Sequence, residues 1–157
     1  FIFVFMIHSL NNKSVPVAEK LFSIWQESYI IEAKLLKVDD FPPLNRTVQD
    51  FVDSSTRFYG FVKDDVYNAV TELRDNEGAL HIQSLVVQPS QFRKGLASKM
   101  IAFVLSENMN RNFTVETGCD NLPAINLYLK FGFIETEKYE TDHGIRKICL
   151  FLNRNGN

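Results

Sequence analysis

Residues 80–108 read LHIQSLVVQPSQFRKGLASKMIAFVLSEN, and this stretch decides the fold. LHIQSLVV is a short apolar run of strand type. LASKMIAFVL places Leu96, Met100, Phe103 and Val104 at three- and four-residue steps, the spacing of one helix face. Between them QPSQFRKGLASK, Gln88 to Lys99, carries one glycine, three basic residues and no acidic one. A strand that stops at Pro89 and a helix that runs from about Gly95 to Asn108 follow. The first N–H groups of that helix lack internal acceptors, and with the positive end of the helix dipole they form a site for phosphate. Gly95 and the small Ala97 give a ligand access to the backbone. Arg93, Lys94 and Lys99 add local positive charge. An ordinary solvated connection is the competing reading. The turn is neither a P-loop, because no Gly-Lys-Ser/Thr follows, nor a dinucleotide fingerprint, because GxGxxG is absent.

Outward from this stretch, NFTVET at 112–117 completes a strand, helix, strand crossover, which sets its two strands parallel. Upstream, RFYGFV (57–62), VYNAVTELR (66–74) and LHIQSLVV are separated by Asp64-Asp65 and by Asp75-Asn76-Glu77-Gly78, turn-forming residues that predict consecutive antiparallel strands. FIFVFMI predicts a buried first strand. It is too short to cross a bilayer and lacks the basic start and cleavage site of a signal peptide. Ser14 is placed to cap a helix with Pro16 in its first turn and Ala18, Leu21, Phe22, Trp25 and Tyr29 on its buried face. Residues 30–44 mix charge with Phe41, Pro42 and Pro43, and a short helix is expected over 47–52. Downstream come a helix over 123–131 capped by Asp120 or Asn121, then strands at 133–139 and 145–152 joined at Asp142-His143-Gly144. The expected architecture is α+β: one domain over residues 1–157, with about four helices on a mixed, mostly antiparallel sheet of about seven strands.

Composition narrows the function classes. With 157 residues, 45% apolar and 13% aromatic, the chain has material for a real core. A net charge of −2 argues against a general nucleic-acid binder, which needs a broad basic surface. Two cysteines, Cys119 and Cys149, without CxxC spacing suggest neither a disulfide framework nor a zinc site, and a reducing cytoplasm is expected. His8 and His143 have no partners at metal spacing, so no metal is implied. No membrane association is expected.

Two motifs carry a resemblance to a known family. FRKGLA, Phe92 to Ala97, resembles the acyl-CoA-binding motif of the GNAT superfamily of N-acetyltransferases, in which Gln or Arg usually stands five residues before Gly or Ala with a Gly between. Gly95 and Ala97 match and Phe92 departs. Downstream, NLPAINLYLKFGF resembles the family's NxxAxxxYxxxGF signature, with Asn121, Ala124, Tyr128, Gly132 and Phe133 in place. The resemblance implies that the fourth and fifth strands, about 80–87 and 112–117, are parallel and splay apart to admit the pantetheine arm of acetyl-CoA. Backbone of Leu85, Val86 and Val87 would hold that arm, and the turn from Phe92 through Arg93, Lys94, Gly95, Leu96, Ala97 and Ser98 would cradle the pyrophosphate. Asn121, Ala124 and Tyr128 would line the other wall. An amide of the fourth strand would polarise the thioester carbonyl. Phe92 is expected to pack under the turn.

Acetyl transfer to an amine needs a neutral nucleophile, whereas an alkyl ammonium has a pKa of about 10.4. A base or a proton-conducting water chain therefore helps. Collapse of the tetrahedral intermediate expels a thiolate, which a phenol of pKa about 10 protonates when the two are held together. The resemblance gives Tyr128 this acid role, against packing of its ring on the sheet. It gives His81 the proton relay, with Glu72 and Glu116 as weaker choices and a water relay also open. Strand alternation is expected to put His81, Gln83, Leu85 and Val87 on one face. Cys119 is not expected to act as an acyl-accepting nucleophile, because no His–Cys pair is visible.

The resemblance implies an amine acceptor, with a small amine, an amino-acid derivative and a protein N-terminus or lysine all open. Glu27, Glu32, Asp39 and Asp40 are placed to attract it, and Trp25, Tyr29, Phe41 and Tyr59 to line an apolar pocket. Solvated acids and core aromatics are the plainer reading of both sets. The expected activity is transfer from acetyl-CoA to a primary amine by a monomer or homodimer. A non-catalytic acyl-CoA-binding module on the same fold is the alternative.

Overall fold

A computed structural model describes residues 6–156. The chain runs β1 (Ile7–Leu10), α1 (Val15–Leu36), a one-turn 3-10 helix (Pro42–Asn45), α2 (Val48–Asp53), β2 (Arg57–Lys63), β3 (Val66–Asn76) and β4 (Ala79–Val87). A second 3-10 turn (Pro89–Gln91), α3 (Leu96–Glu107), β5 (Asn112–Gly118), α4 (Leu122–Lys130), β6 (Ile134–Glu140) and β7 (Arg146–Leu152) complete it. The seven strands form one sheet in the order β1-β2-β3-β4-β5-β7-β6. Every neighbouring pair is antiparallel except β4 with β5. The expected α+β architecture with a parallel fourth and fifth strand is therefore present.

The local chemistry explains the elements. Asp64 and Asp65 both take positive φ (51° and 62°), as do Glu77 and Gly78 (41° and 91°), which gives both hairpins the twist that matches their strands. Residue 121 settles the choice of cap for α4: Asn121 Oδ1 accepts from Ala124 N at 3.3 Å. Thr47 and Asp50 form a reciprocal capping box on α2.

Of the expected first strand FIFVFMI, residues 1–5 lie outside the described residues, and the described strand covers Ile7–Leu10. Two expectations need correction. Ser14 occupies the N-cap of α1, but its hydroxyl makes no capping hydrogen bond. Helix α1 does not stop near Tyr29. It continues to Leu36 because Ala33 and Leu36 extend the apolar stripe begun at Ala18 and Leu21, and it ends where Lys37 turns left-handed.

Helices α1 and α2 cover one face of the sheet, where Trp25, Tyr29, Phe51, Phe58, Val70 and Val86 pack together. Helices α3 and α4 cover the other, with Leu73, Leu80, Ile82, Ile101, Val104 and Tyr128. The pairing of β3 with β4 shifts between Glu72/Ser84 and Leu73/Ile82, which leaves Gln83 as a bulge. That extra residue reverses the alternation of β4. Leu80 and Ile82 before it face α3, whereas Ser84 and Val86 after it face α1.

Candidate functional site

The parallel pairing of β4 with β5 covers Ala79–Ile82 against Asn112–Val115 and then stops, although β4 runs on to Val87 and β5 to Gly118. Beyond Ile82 and Val115 the two strands form a fork. Gln88 donates its N–H to Asn68 O of β3 at 2.9 Å. Backbone groups alternate sides along an antiparallel strand, so those of Val86 turn toward β3 while those of Leu85 and Val87 point into the fork. Val86 thus does not join the expected set: its backbone belongs to the ladder and its side chain is 1% exposed in the core.

On the α3 side of the fork lies a cavity of about 520 Å³. Leu85 and Val87 form one wall, Phe92, Arg93, Gly95, Leu96, Ala97 and Ser98 close one end, and Asn121, Ala124 and Tyr128 form the opposite wall. Eleven of the expected residues therefore meet around one space. Lys94 is not among them; its Nζ lies 3.4 Å from Oε1 of Gln91, which does line the cavity. Phe92 does not pack under the turn but stands 40% exposed on the cavity wall.

The end of this cavity presents the uncapped start of a helix, whose amides can receive an anion. Unlike α2 and α4, helix α3 has no side-chain cap, because its N-cap is Gly95. The N–H groups of Leu96, Ala97 and Ser98 precede the first intrahelical bond, which Lys99 makes to Gly95 O at 3.1 Å. Gly95 takes φ 75°, and a Cβ added there would meet nothing within 4 Å. Left-handed backbone, not crowding, selects glycine, and it leaves open space over the amides. Arg93 beside it also takes positive φ, 65°.

A second cavity, of about 630 Å³, lies on the α1 side of the same fork. Trp25, Tyr29 and Phe41 line its apolar part, and His81, Arg74, Glu116, Tyr139 and His143 its polar part. The bulge at Gln83 thereby separates two sets that alternation alone would join: His81 faces this cavity, while Leu85 and Val87 face the other. Tyr59 lines neither cavity, and its ring packs on Phe103 under α3 at 5.6 Å between centroids.

The titratable groups sort by their partners. Tyr128 is 4% exposed and packs edge-on against Phe133, with ring centroids 5.4 Å apart. Burial, and secondarily the Glu32 carboxylate, push its phenol well above the ordinary tyrosine range, so it holds its proton at neutral pH. His81 Nδ1 lies 2.8 Å from Thr114 Oγ1. Burial first and Arg74 second lower its pKa, against a smaller opposing effect of Glu116, so the ring is neutral at pH 7. Glu72 is 1% exposed and accepts from Arg46 at 2.8 and 2.9 Å, from Thr56 Oγ1 at 2.6 Å and from Ser84 Oγ at 3.3 Å. With its lone pairs occupied, Glu72 is structural. Glu116 accepts from Tyr139 Oη at 2.7 Å and from Cys149 Sγ at 3.4 Å. That hydrogen bond pushes the Tyr139 phenol up to about 12, and burial followed by Glu116 pushes the Cys149 thiol up to about 12. Cys119 packs against the apolar core on the α3 side.

Of the acids expected at the acceptor, Glu27 receives Gln88 Nε2 at 2.8 Å and Asp40 pairs with His143 Nδ1 at 2.9 Å. Asp39 lines neither cavity. Glu32 alone reaches the fork. The Arg46–Glu72 network was not legible in the sequence, since its members come from a loop and two strands. Among the described residues, no group of three or more His, Cys, Asp or Glu is placed to hold a metal, and no helix is long and apolar enough to cross a membrane.

Comparison with known proteins agrees with this geometry. An Escherichia coli ribosomal-protein-S18-alanine N-acetyltransferase is 18% identical and superposes with a TM-score of 0.73 over 96% of this chain and 94% of that one. A Bacillus anthracis protein solved in complex with acetyl coenzyme A is 17% identical, with a TM-score of 0.57 over 69% of each chain. These similarities show the fold. In sequence, the UPF0157 protein YqkA of Bacillus subtilis is 31% identical over 141 residues, which are 89% of this chain but 41% of that protein. The chain thus spans less than half the length of this relative. The profile of the acetyltransferase (GNAT) family matches residues 18–133, from α1 through the end of the Asn121–Phe133 signature, and the chain belongs to that family.

Proposed function

We propose that residues 1–157 form one acetyl-CoA-dependent N-acetyltransferase domain that acetylates a primary amine. The observation that carries this reading is the fork: a single opening between β4 and β5 joins an anion-binding helix terminus on one side to a polar cavity on the other. Acetyl-CoA supplies an acetyl group activated as a thioester. Backbone groups of Leu85 and Val87 hold and orient its arm, and the amides of Leu96, Ala97 and Ser98 bind its phosphates. The amine enters from the α1-side cavity and attacks directly. Tyr128 gives its proton to the departing sulfur, and His81 relays the amine's proton toward solvent.

Acetyl-CoA is expected to raise the melting temperature in a concentration-dependent way, by about 2.7 kcal/mol of stabilisation at a hundredfold excess over Kd. Thiol release across an amine panel then tests transfer. A thermal shift with no thiol release from any amine would assign the non-catalytic reading. No shift at millimolar acetyl-CoA would defeat both.

His81→Gln tests the relay. The neutral ring accepts protons only above its lowered pKa, so the acidic limb of the kcat/KM profile is expected to move in the variant. An unmoved limb removes His81 from the reaction.

A further inference from the structure

Among the described residues, Glu32 is the one that lines both cavities. It lies three residues after Tyr29 on the inner face of α1, where the helix crosses the fork, and the close seating of Leu36 against Gly118 one turn later holds α1 there. An added Cβ on Gly118 would lie 2.6 Å from Leu36 Cδ2. Glu32 is half-buried, and its Oε1 accepts from Asn121 Nδ2 at 3.2 Å. Asn121 in turn caps α4, the helix that carries Tyr128. The carboxylate is thus tied on one oxygen to the wall of the α3-side cavity, and it has the other for a ligand arriving from the α1 side.

We propose that Glu32 binds the acceptor as an alkylammonium and takes its proton first, ahead of the His81 relay. This assignment rests on the acetyltransferase reading above and gives that site a cationic substrate class. The N–H bond of the ammonium breaks, its electron pair stays on nitrogen, and the proton forms an O–H bond on Glu32 Oε2. After the amine has attacked, its second N–H proton replaces the one that Tyr128 gives to sulfur. One proton leaves overall, the one on Glu32, and it returns to solvent through the α1-side cavity, where His81 stands.

The charged and titratable groups around Glu32 suit this sequence. Tyr29 shares its helix, Tyr128 faces it from α4 and Lys147 from β7, while His81 on β4 and Glu116 on β5 line the cavity beyond it. Arg46 and Glu72, also on that wall, satisfy one another. Burial raises the Glu32 carboxyl above the ordinary range, and the Asn121 hydrogen bond and Lys147 oppose this, which brings it closer to the basicity a proton acceptor needs at neutral pH. Its negative charge is one of the two causes that raise the Tyr128 phenol. Protonation of Glu32 removes that cause, so Tyr128 becomes a stronger acid after the amine has been deprotonated.

Glu32→Gln is the test, because Gln keeps an acceptor for Asn121 while it removes the negative charge and the basicity together. The acetyl-CoA thermal shift is expected to persist. With a primary alkylamine, kcat/KM at pH 7 is expected to fall by about 10²-fold or more, and to rise tenfold per pH unit as the free amine fraction grows, where the wild type levels off. Glu32→Asp is expected to recover part of the rate, and arylamines, already neutral, to lose little. A Gln variant within threefold of wild type, with the same plateau, overturns the assignment. So does a wild type that binds acetyl-CoA but acetylates no amine, since the proton acceptor then has no reaction to serve. Absence of the thermal shift in the wild type brings down the underlying reading instead.

Discussion

Tyr128→Phe is expected to lower kcat by about 10²–10⁴-fold with acetyl-CoA binding retained. The substitution removes one oxygen and nothing else of consequence for packing. The ring still lies in the α3-side core, edge-on to Phe133 at 5.4 Å. Its backbone N–H and C=O keep their places in α4, whose C-terminus Phe131 N and Phe133 N close on Tyr128 O at 3.1 Å each. What is lost is a proton held on a buried phenol beside the cavity proposed to receive the thioester. The departing thiolate, whose thiol has a pKa of about 8.5, can return to the carbonyl, and a proton delivered as it leaves commits the tetrahedral intermediate to products. Burial keeps the phenol fully protonated across the working pH range, so its loss is expected to lower the plateau of the pH profile without moving its acidic limb. Steady-state thiol release at saturating substrates checks this. Equal turnover in the two proteins removes Tyr128 as the acid.

Arg46→Ala is expected to destabilise the fold by about 3–5 kcal/mol, a large share of the stability of a chain this size. Arg46 forks onto both oxygens of Glu72, whose side chain is 1% exposed, and its guanidinium lies 4.1 Å from the centroid of Phe51. Truncation leaves the Glu72 carboxylate buried with two hydroxyl donors, Thr56 and Ser84, and no opposing charge. It also strips a cation from the stack of Phe51, Trp25 and Phe58 under α1. Arg46→Lys is expected to recover only part of the loss, because an ammonium cannot span both oxygens. Replacing both members, Arg46→Met with Glu72→Leu, is expected to restore most of it, since no charge is then left unpaired. Urea midpoints measure all three, and a loss below about 1 kcal/mol for Arg46→Ala would show that water reaches Glu72.

Tyr128 and Arg46 differ in how far the sequence exposes them. Tyr128 stands in NxxAxxxYxxxGF, a local pattern on one helix and its following turn, and local spacing is conserved when the helix folds. The turn at Gly95 is legible for the same reason: strand end, glycine and helix start lie within ten residues, and the uncapped amides follow from the absence of a capping side chain. The crossover from β4 through α3 to β5 fixes parallel pairing by handedness and length alone. Arg46 and Glu72 lie 26 residues apart, in a loop and in a strand, so no periodicity joins them.

The residues therefore determined by themselves the order of elements, the parallel pair and the uncapped helix terminus, because each depends on interactions within a few residues or on one crossover. Only the tertiary structure decided which way β4 faces. A single bulge at Gln83 turns Leu85 and Val87 toward one cavity and leaves His81 in the other, and a bulge is a mismatch between two strands that neither records alone. The same holds for Glu32. As a letter it is one of several acids near the end of α1. It stands between the two cavities only because Leu36 seats on Gly118 and sets the helix across the fork.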